Sequence, residues 1–377
     1  MTDLLDRMAA ANPARADERP PLDDVWRKIA ADATPARAPW HRAGGRALLV
    51  AGVAVPVVAV ILIAVSAHRA AQRPHHPAVT GIHHGRSTID PAVQRSARRA
   101  LGKRSGSIVV MNPQTGAIRA MATTGSLRGG PGASVPPGAT FDVVTLAAAL
   151  TSGRYGPHSL ISGASPLGVA GAQVRNNEQE SFGRLTLSDA LALSVNTVFA
   201  RVGAEVGESA LTREMRLFEL PSRAVAGGRV AVGPLAAGQG PVTVTPLQLA
   251  TMAATIANRG WLAQPHATAL AGPAPQRPVM SPGAARLLTQ MLRRAVTDGT
   301  ATAANLPGLS IAGKTGNAPA GPGKGAGSVV SFIGFAPADH PTVAIAVVLN
   351  APRGAFGGTV AAPLAARVIR DVLRGQP

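Results

Sequence analysis

At 377 residues the chain has room for one large domain or two ordinary ones, with a sizeable core in either case. It has no cysteine, which excludes disulfides and thiolate metal sites. The net charge of +18 is spread along the chain and favours contact with polyanions such as acidic cell-wall polymers, anionic lipid or nucleic acid. Three Trp, one Tyr and seven Phe supply few stacking platforms for a nucleic-acid groove, so no nucleic-acid partner is expected.

Residues 1–46 are polar, nearly charge-balanced and rich in proline. They read as a largely disordered tail with one short helix over Asp23–Asp32. Ala47–Ala67 is a 21-residue run without a charge, which as a helix matches a hydrocarbon core of roughly 30 Å. Pro56 inside it is tolerated in a membrane helix. Val65-Ser66-Ala67 also resembles a signal-peptidase site, but 46 residues precede the run, so an uncleaved signal anchor is the preferred reading. Five flanking cations before the run (Arg27, Lys28, Arg37, Arg42, Arg46) against three after it (Arg69, Arg73, Arg86) point to a cytoplasmic N-terminus. The C-terminal part is then extracytoplasmic. His68 to Arg86 carries five histidines with no nearby carboxylate, and reads as a solvated stalk rather than a metal site.

Ser87 to Pro377 reads as one domain. Gly106 to Thr123 gives two apolar runs around Asn112-Pro113-Gln114-Thr115-Gly116, a hairpin signal. Helical signals dominate the middle. Thr245 to Gly260 has a Thr cap, Pro at the first helical position and a terminal Gly, and Ser281 to Gly299 repeats that punctuation. Three strand-like runs follow: Leu309–Thr315, Ser328–Ala336 and Thr342–Asn350. Val360, Leu364, Val368 and Val372 then share one face of a closing helix. Two strands, a helical insert, three strands and a last helix predict an α+β fold with one mainly antiparallel five-stranded sheet covered by helices, preceded by one transmembrane helix.

Gly308 to Asn317, GLSIAGKTGN, satisfies the phosphate-loop pattern, with Gly313, Lys314 and Thr315 at its end. A phosphate loop must follow a strand and open a helix. Here TATAANLP precedes it, and GNAPAGPGKG, which cannot be a helix, follows. Lys314 and Thr315 are instead placed at the end of a strand that leads into a flexible loop. No nucleotide partner and no cofactor are expected.

Lys-Thr-Gly on a strand has another setting. Val135–Leu150, Ala190–Gly203, Ala237–Gly260 and AGKTG followed by SFIGFAPADHP together resemble the transpeptidase domain of penicillin-binding proteins over about 290 residues. Ser194-Val195-Asn196 matches the second motif of that family, and Lys314-Thr315-Gly316 the third. The resemblance implies a role in peptidoglycan metabolism, with stem peptides or cell-wall synthesis proteins as partners. It also implies a substrate cleft involving Ser194, Asn196, Lys314, Thr315, Gly316 and Asn317, the last standing where the family usually has a small hydroxyl residue. A further departure is that only a stalk of some twenty residues separates the apolar run from this domain, where anchored relatives often carry a pedestal or dimerisation domain.

The departure that matters most is at the first motif, serine-x-x-lysine in the family. Its positions hold Ala139 and Asp142 here. Residues three apart on a helix are neighbours, so the lysine amine takes the proton of the attacking serine hydroxyl. Alanine has no oxygen with which to attack, and aspartate does not replace a neutral amine. None of the four lysines (Lys28, Lys103, Lys314, Lys324) has a serine three residues before it. Thr140 is rotated about 100° around the helix from the lost nucleophile. Asp142 suits the first turn of a helix electrostatically, and in the family geometry it pairs with Lys314.

Three readings follow: a catalytically inactive homologue that keeps a ligand cleft; an active D-alanyl-D-alanine transpeptidase or carboxypeptidase with a displaced nucleophile (Ser194, Thr315 or Ser310); or a non-enzymatic transmembrane signalling or scaffold protein. For Ser194 and Asn196 a simple helix link, and for Lys314 a solvated strand-edge charge, remain the plain alternatives.

Overall fold

The computed structural model describes residues 86–125, 132–169, 171–222, 230–321 and 327–375. The tail, the apolar run 47–67 and the stalk up to residue 85 lie outside the described residues. Among the described residues no helix is long and apolar enough to cross a membrane.

Helix α1 (Pro91–Leu101) opens the fold, with Asp90 accepting from the amides of Ala92 and Val93 and Pro91 at its first position. Strands β1 (Gly106–Met111) and β2 (Ile118–Thr124) form the expected hairpin, with a register shift at Val110/Met111. The helical insert contains α2 (Asp142–Thr151), α3 (Leu187–Leu193), α4 (Asn196–Val206), α5 (Glu208–Leu217), α6 (Pro246–Ala257) and α7 (Pro282–Thr297). Three small two-stranded ladders (160–162 with 184–186, 167–169 with 172–174, and 261–263 with 276–278) break up the insert, and sequence pattern alone did not mark them. The chain then returns through β3 (Ala312–Pro319), β4 (Ser328–Ala336) and β5 (Val343–Ala351), and ends in α8 (Ala362–Arg374).

The five strands pair in the order β2-β1-β5-β4-β3, all antiparallel. Every residue of β1 and β4 is buried, which explains why their sequences are almost continuously apolar instead of alternating. The alternation is still present in where the side chains go. Val109, Met111, Ala344, Ala346 and Val348 face a core shared with α2, α4, α6 and α7, while Ile108, Val110, Ile345, Val347 and Leu349 face α1 and α8. The capping box of α6, where Thr245 and Gln248 satisfy each other's backbone amides, fixes the entry of the helix lying on the first face.

Two expected boundaries move. The strand expected over Leu309–Thr315 begins at Ala312 and runs on to Pro319, so Lys314 and Thr315 are interior to it. Gly316, Asn317 and Ala318 pair with Ser331, Val330 and Val329 of β4, and this ladder overrides the loop-like composition after Thr315. As the edge strand, β3 tolerates Pro319 at its end. The closing helix begins at Ala362, with Val360 in a separate short turn of helix over Gly357–Val360.

One carboxyl group conflicts with its surroundings. Glu214 on α5 is fully buried and neither oxygen has a hydrogen-bond partner, so burial pushes it up from 4.5 to about 7, with Arg213 opposing the shift. A raised acid binds its proton more tightly in the folded state. It therefore adds stability at low pH that is lost as pH rises from about 4.5 to about 7. Denaturant titrations are expected to show Glu214→Gln gaining roughly 2–3 kcal/mol on the parent between pH 4.5 and pH 8, with the two proteins converging at the acid end.

Candidate functional site

The site forms where the start of α2, the α3–α4 junction and edge strand β3 converge. Gly138–Phe141 is a single 3₁₀ turn leading into α2, and residues Asp142 to Ala149 of that helix are all buried. Gly138 has φ 53°, and a Cβ there would lie 2.4 Å from the carbonyl oxygen of Asn317. Gly238 presses on the same turn from the other side, since a Cβ on it would sit 1.9 Å from the carbonyl oxygen of Gly138. The two glycines let the loop before α6, the 3₁₀ turn and β3 approach backbone to backbone.

Ser194 occupies the left-handed region (φ 60°, ψ 48°) at the C-cap of α3. Its amide and that of Val195 turn back to the carbonyls of Leu191 and Ala190, the arrangement that usually selects glycine. A serine held there costs roughly 1 kcal/mol, and backbone strain of this kind clusters at functional sites. The junction aims the hydroxyl at β3, where Lys314 Nζ donates to Ser194 Oγ at 2.7 Å and to the Thr315 carbonyl at 3.2 Å.

Lys314 is completely buried, and so is Asp142. Asp142 Oδ2 lies 3.5 Å from Lys314 Nζ, an ion pair too long for a good hydrogen bond, and neither Asp142 oxygen has a hydrogen-bond partner. Burial pushes Asp142 up to about 7 and Lys314 down, and the attraction between them opposes both shifts. Lys314 is therefore neither a solvated edge charge nor a free cation facing the cleft.

The cleft itself has a volume of about 1330 Å³ and is lined by Ala139, Ser194, Asn196, Thr315, Gly316 and Asn317, among others. The structure thus brings together Ala139, Ser194, Asn196, Thr315, Gly316 and Asn317, with Lys314 and Asp142 directly behind the wall. Asn196 opens α4 and donates to the carbonyl of Arg175 at 3.0 Å. Thr315 Oγ1 meets Thr300 Oγ1 at 2.8 Å. Ser310 lies elsewhere, bonded to Asp339 at 3.2 Å. Thr140 is buried and donates to the carbonyl of Pro137 at 2.7 Å, so it offers no hydroxyl to the cleft.

Two contributors were missed in the sequence. Thr300 holds the Thr315 hydroxyl. Asn176, buried, donates to the carbonyls of Gly163 and Glu180 and accepts from the amide of Thr197, which ties the rim of the cleft to α4. Neither lies in a recognisable motif.

Ala139 presents a methyl group to the cleft. Ser194 is the hydroxyl with an amine beside it, but that amine is donating to it and is held by a carboxylate.

Comparison with known proteins agrees with that geometry. The sequence profile described as the penicillin binding protein transpeptidase domain matches residues 106–370. Peptidoglycan D,D-transpeptidase PbpA of Mycobacterium tuberculosis is 32% identical, over 77% of this chain and 72% of that protein. Stage V sporulation protein D of Bacillus subtilis is 28% identical, over 76% of this chain and 53% of its own. Among solved structures, penicillin-binding protein A from M. tuberculosis in a ceftriaxone acyl-enzyme complex superposes with a TM-score of 0.69 at 28% identity, covering 77% of this chain and 80% of that one. The chain belongs to the penicillin-binding-protein transpeptidase family.

The Asp142–Lys314 pair makes a stability prediction. Asp142→Ala leaves an ammonium buried without its counter-charge and is expected to cost about 3–5 kcal/mol in denaturant unfolding, whereas Asp142→Leu combined with Lys314→Met recovers most of that loss. If the single change costs no more than an ordinary surface substitution, the pair is not holding the site together.

Proposed function

We propose that this protein is a membrane-anchored, catalytically inactive penicillin-binding-protein transpeptidase homologue that binds peptidoglycan stem peptides, or proteins that build the wall, without acyl transfer. In this reading residues 1–46 form a cytoplasmic tail, 47–67 the anchor, 68–86 a stalk and 87–377 the extracytoplasmic transpeptidase-like domain. Ser194, Asn196, Thr315, Gly316 and Asn317 contact the ligand, with Lys314 behind them. The relatives named as peptidoglycan D,D-transpeptidases support the wall-related role, and the uncharged run supports the anchor.

The single observation that carries the reading is the replacement of hydroxyl and amine by Ala139 and Asp142, with the Asp142 carboxylate 3.5 Å from Lys314 Nζ. Acyl transfer needs an oxygen that bonds to the substrate carbonyl carbon, a base that accepts the hydroxyl proton, and return of that proton to the leaving amine. The first two are missing at this position. Noncovalent recognition rests on the cleft walls and does not require them.

The contact between Ser194 and Lys314 at 2.7 Å is the observation that favours the second reading, a displaced nucleophile. It would need the proton of the pair to reside on Asp142, leaving Lys314 neutral. Turnover of a peptide ending in D-Ala-D-Ala that disappears in Ser194→Ala would establish it.

Intact-mass measurement of the protein after incubation with a penicillin is expected to show no added mass; a stable adduct on any side chain overturns the inactive reading. Restoring the missing pair with Ala139→Ser and Asp142→Lys together is expected to produce a covalent penicillin adduct, while either change alone leaves the mass unaltered.

A further inference from the structure

The face of the sheet remote from α2 carries a different kind of surface. Helix α1 and helix α8 both pack there, on the core built around Ile108, Val110, Ile345 and Val347. They touch each other: Ser96 Oγ donates to Asp371 Oδ2 at 2.6 Å, and Arg99 lies 4.0 Å from the same oxygen.

Their outer sides are cationic. Arg95, Arg98 and Arg99 are exposed on α1, spaced so that they share one side of the helix. Lys103 and Arg104 extend this stripe through the turn after α1. Arg367, Arg370 and Arg374 repeat the spacing on α8, on the same side as Asp371 and therefore next to α1; Arg367 and Arg374 are exposed, Arg370 partly so. Across both helices and that turn Asp371 is the only acidic residue, and its carboxylate is already engaged by Ser96 and Arg99. Asp90, just before α1, is occupied with the α1 amides and with Arg119. The guanidinium groups thus form a two-helix cationic surface with almost no internal counter-charge, on the side of the sheet away from Ala139 and Asp142.

We propose that this α1–α8 surface docks on an anionic lipid bilayer. Guanidinium groups suit phosphate because their donors lie in a planar fork that matches its oxygens. A lipid surface is favoured over a soluble polyanion by chain geometry. Residues 68–90 join the uncharged run 47–67 to the first turn of α1, and 23 residues reach at most about 80 Å when fully extended. That tether keeps α1 at high effective concentration next to the bilayer that holds the run. Only the tether rests on the anchored reading; the charge and geometry of the surface do not. Docking would hold the domain with its sheet back against the lipid headgroups.

The absence of native cysteine makes the test direct. The full-length chain carrying a single fluorophore at Ala92→Cys, or at Gln173→Cys on the helical insert as a control, is reconstituted with vesicles containing a headgroup-attached spin-label quencher. The vesicles are phosphatidylcholine alone or phosphatidylcholine with phosphatidylglycerol. The expected result is strong quenching at position 92 only when phosphatidylglycerol is present, weakened by salt as exposed charges are screened, and no such change at position 173. In the variant with Arg95→Glu, Arg98→Glu, Arg367→Glu and Arg374→Glu, quenching at position 92 is expected to fall to its phosphatidylcholine level while thermal unfolding shows the fold retained. Equal quenching in both lipids, or quenching that survives charge reversal, overturns the proposal, and so does preferential binding of free polyphosphate over the anionic vesicles. Flotation of the chain with phosphatidylcholine vesicles separately tests the anchor, so a chain that fails to float but is quenched by phosphatidylglycerol loses the anchor and keeps the docking surface.

Discussion

The ion pair between Lys314 and Asp142 is the constraint on which the rest of the site depends. A lysine buried in the middle of a strand, between a five-stranded sheet and a helical insert, has to find a counter-charge or lose its proton. In this chain the carboxylate at the start of α2 provides the counter-charge, and the remaining donors of the same ammonium go to Ser194 and to the Thr315 carbonyl. One cation thereby joins the three elements that make up the cleft. The consequence is electrostatic: the charge of this amine is offset by a carboxylate instead of facing a ligand alone.

That commitment changes what the cleft can recognise. Its walls carry hydroxyls at Ser194 and Thr315, a carboxamide at Asn317 and the backbone of an edge strand, with Glu178, Glu180 and Arg353 as charged lining residues. Neutral donors and acceptors on a strand edge fit an extended peptide, which adds hydrogen bonds without needing a charge at its end. The Asp142 carboxylate offsets the electrostatic bias that an uncompensated Lys314 would place on one end of the pocket.

Much of the fold was legible from periodicity and punctuation. The β1–β2 hairpin, the capped α6 and α7, and the order of strands around a helical insert follow from local signals that act within a few residues. What was not legible depended on partners distant in sequence. The extension of β3 to Pro319 through Gly316 and Asn317 comes from pairing with β4, and the short ladders inside the insert form only once the helices pack. At the site, Ala139, Asp142, Ser194 and Lys314 could be named because they stand in motifs. Thr300 and Asn176 could not, because their importance is the contact each makes: a hydroxyl 15 residues away from Thr300, and a helix amide 21 residues away from Asn176. The left-handed backbone at Ser194 was equally hidden, since its sequence neighbours are ordinary helix formers.

The two faces of the sheet are under different constraints, which bears on how the cleft keeps its shape. Gly238 and Gly316 line the cleft, and neither they nor Gly138 can accept a side chain without moving backbone; a Cβ on Gly316 would meet Ser331 Oγ at 2.4 Å and the Pro137 carbonyl at 2.8 Å. Close backbone contact of this kind preserves the shape of the pocket because it is a condition of folding, independent of turnover. Ala139 lines the cleft and its side chain takes no part in these backbone contacts, so the fold leaves that position free to change. Asp142 is different, since a position facing a buried ammonium must carry a group that tolerates or offsets that charge. The cleft walls are thus shaped by contacts on which the core depends, and the Ala139 side chain is not among them.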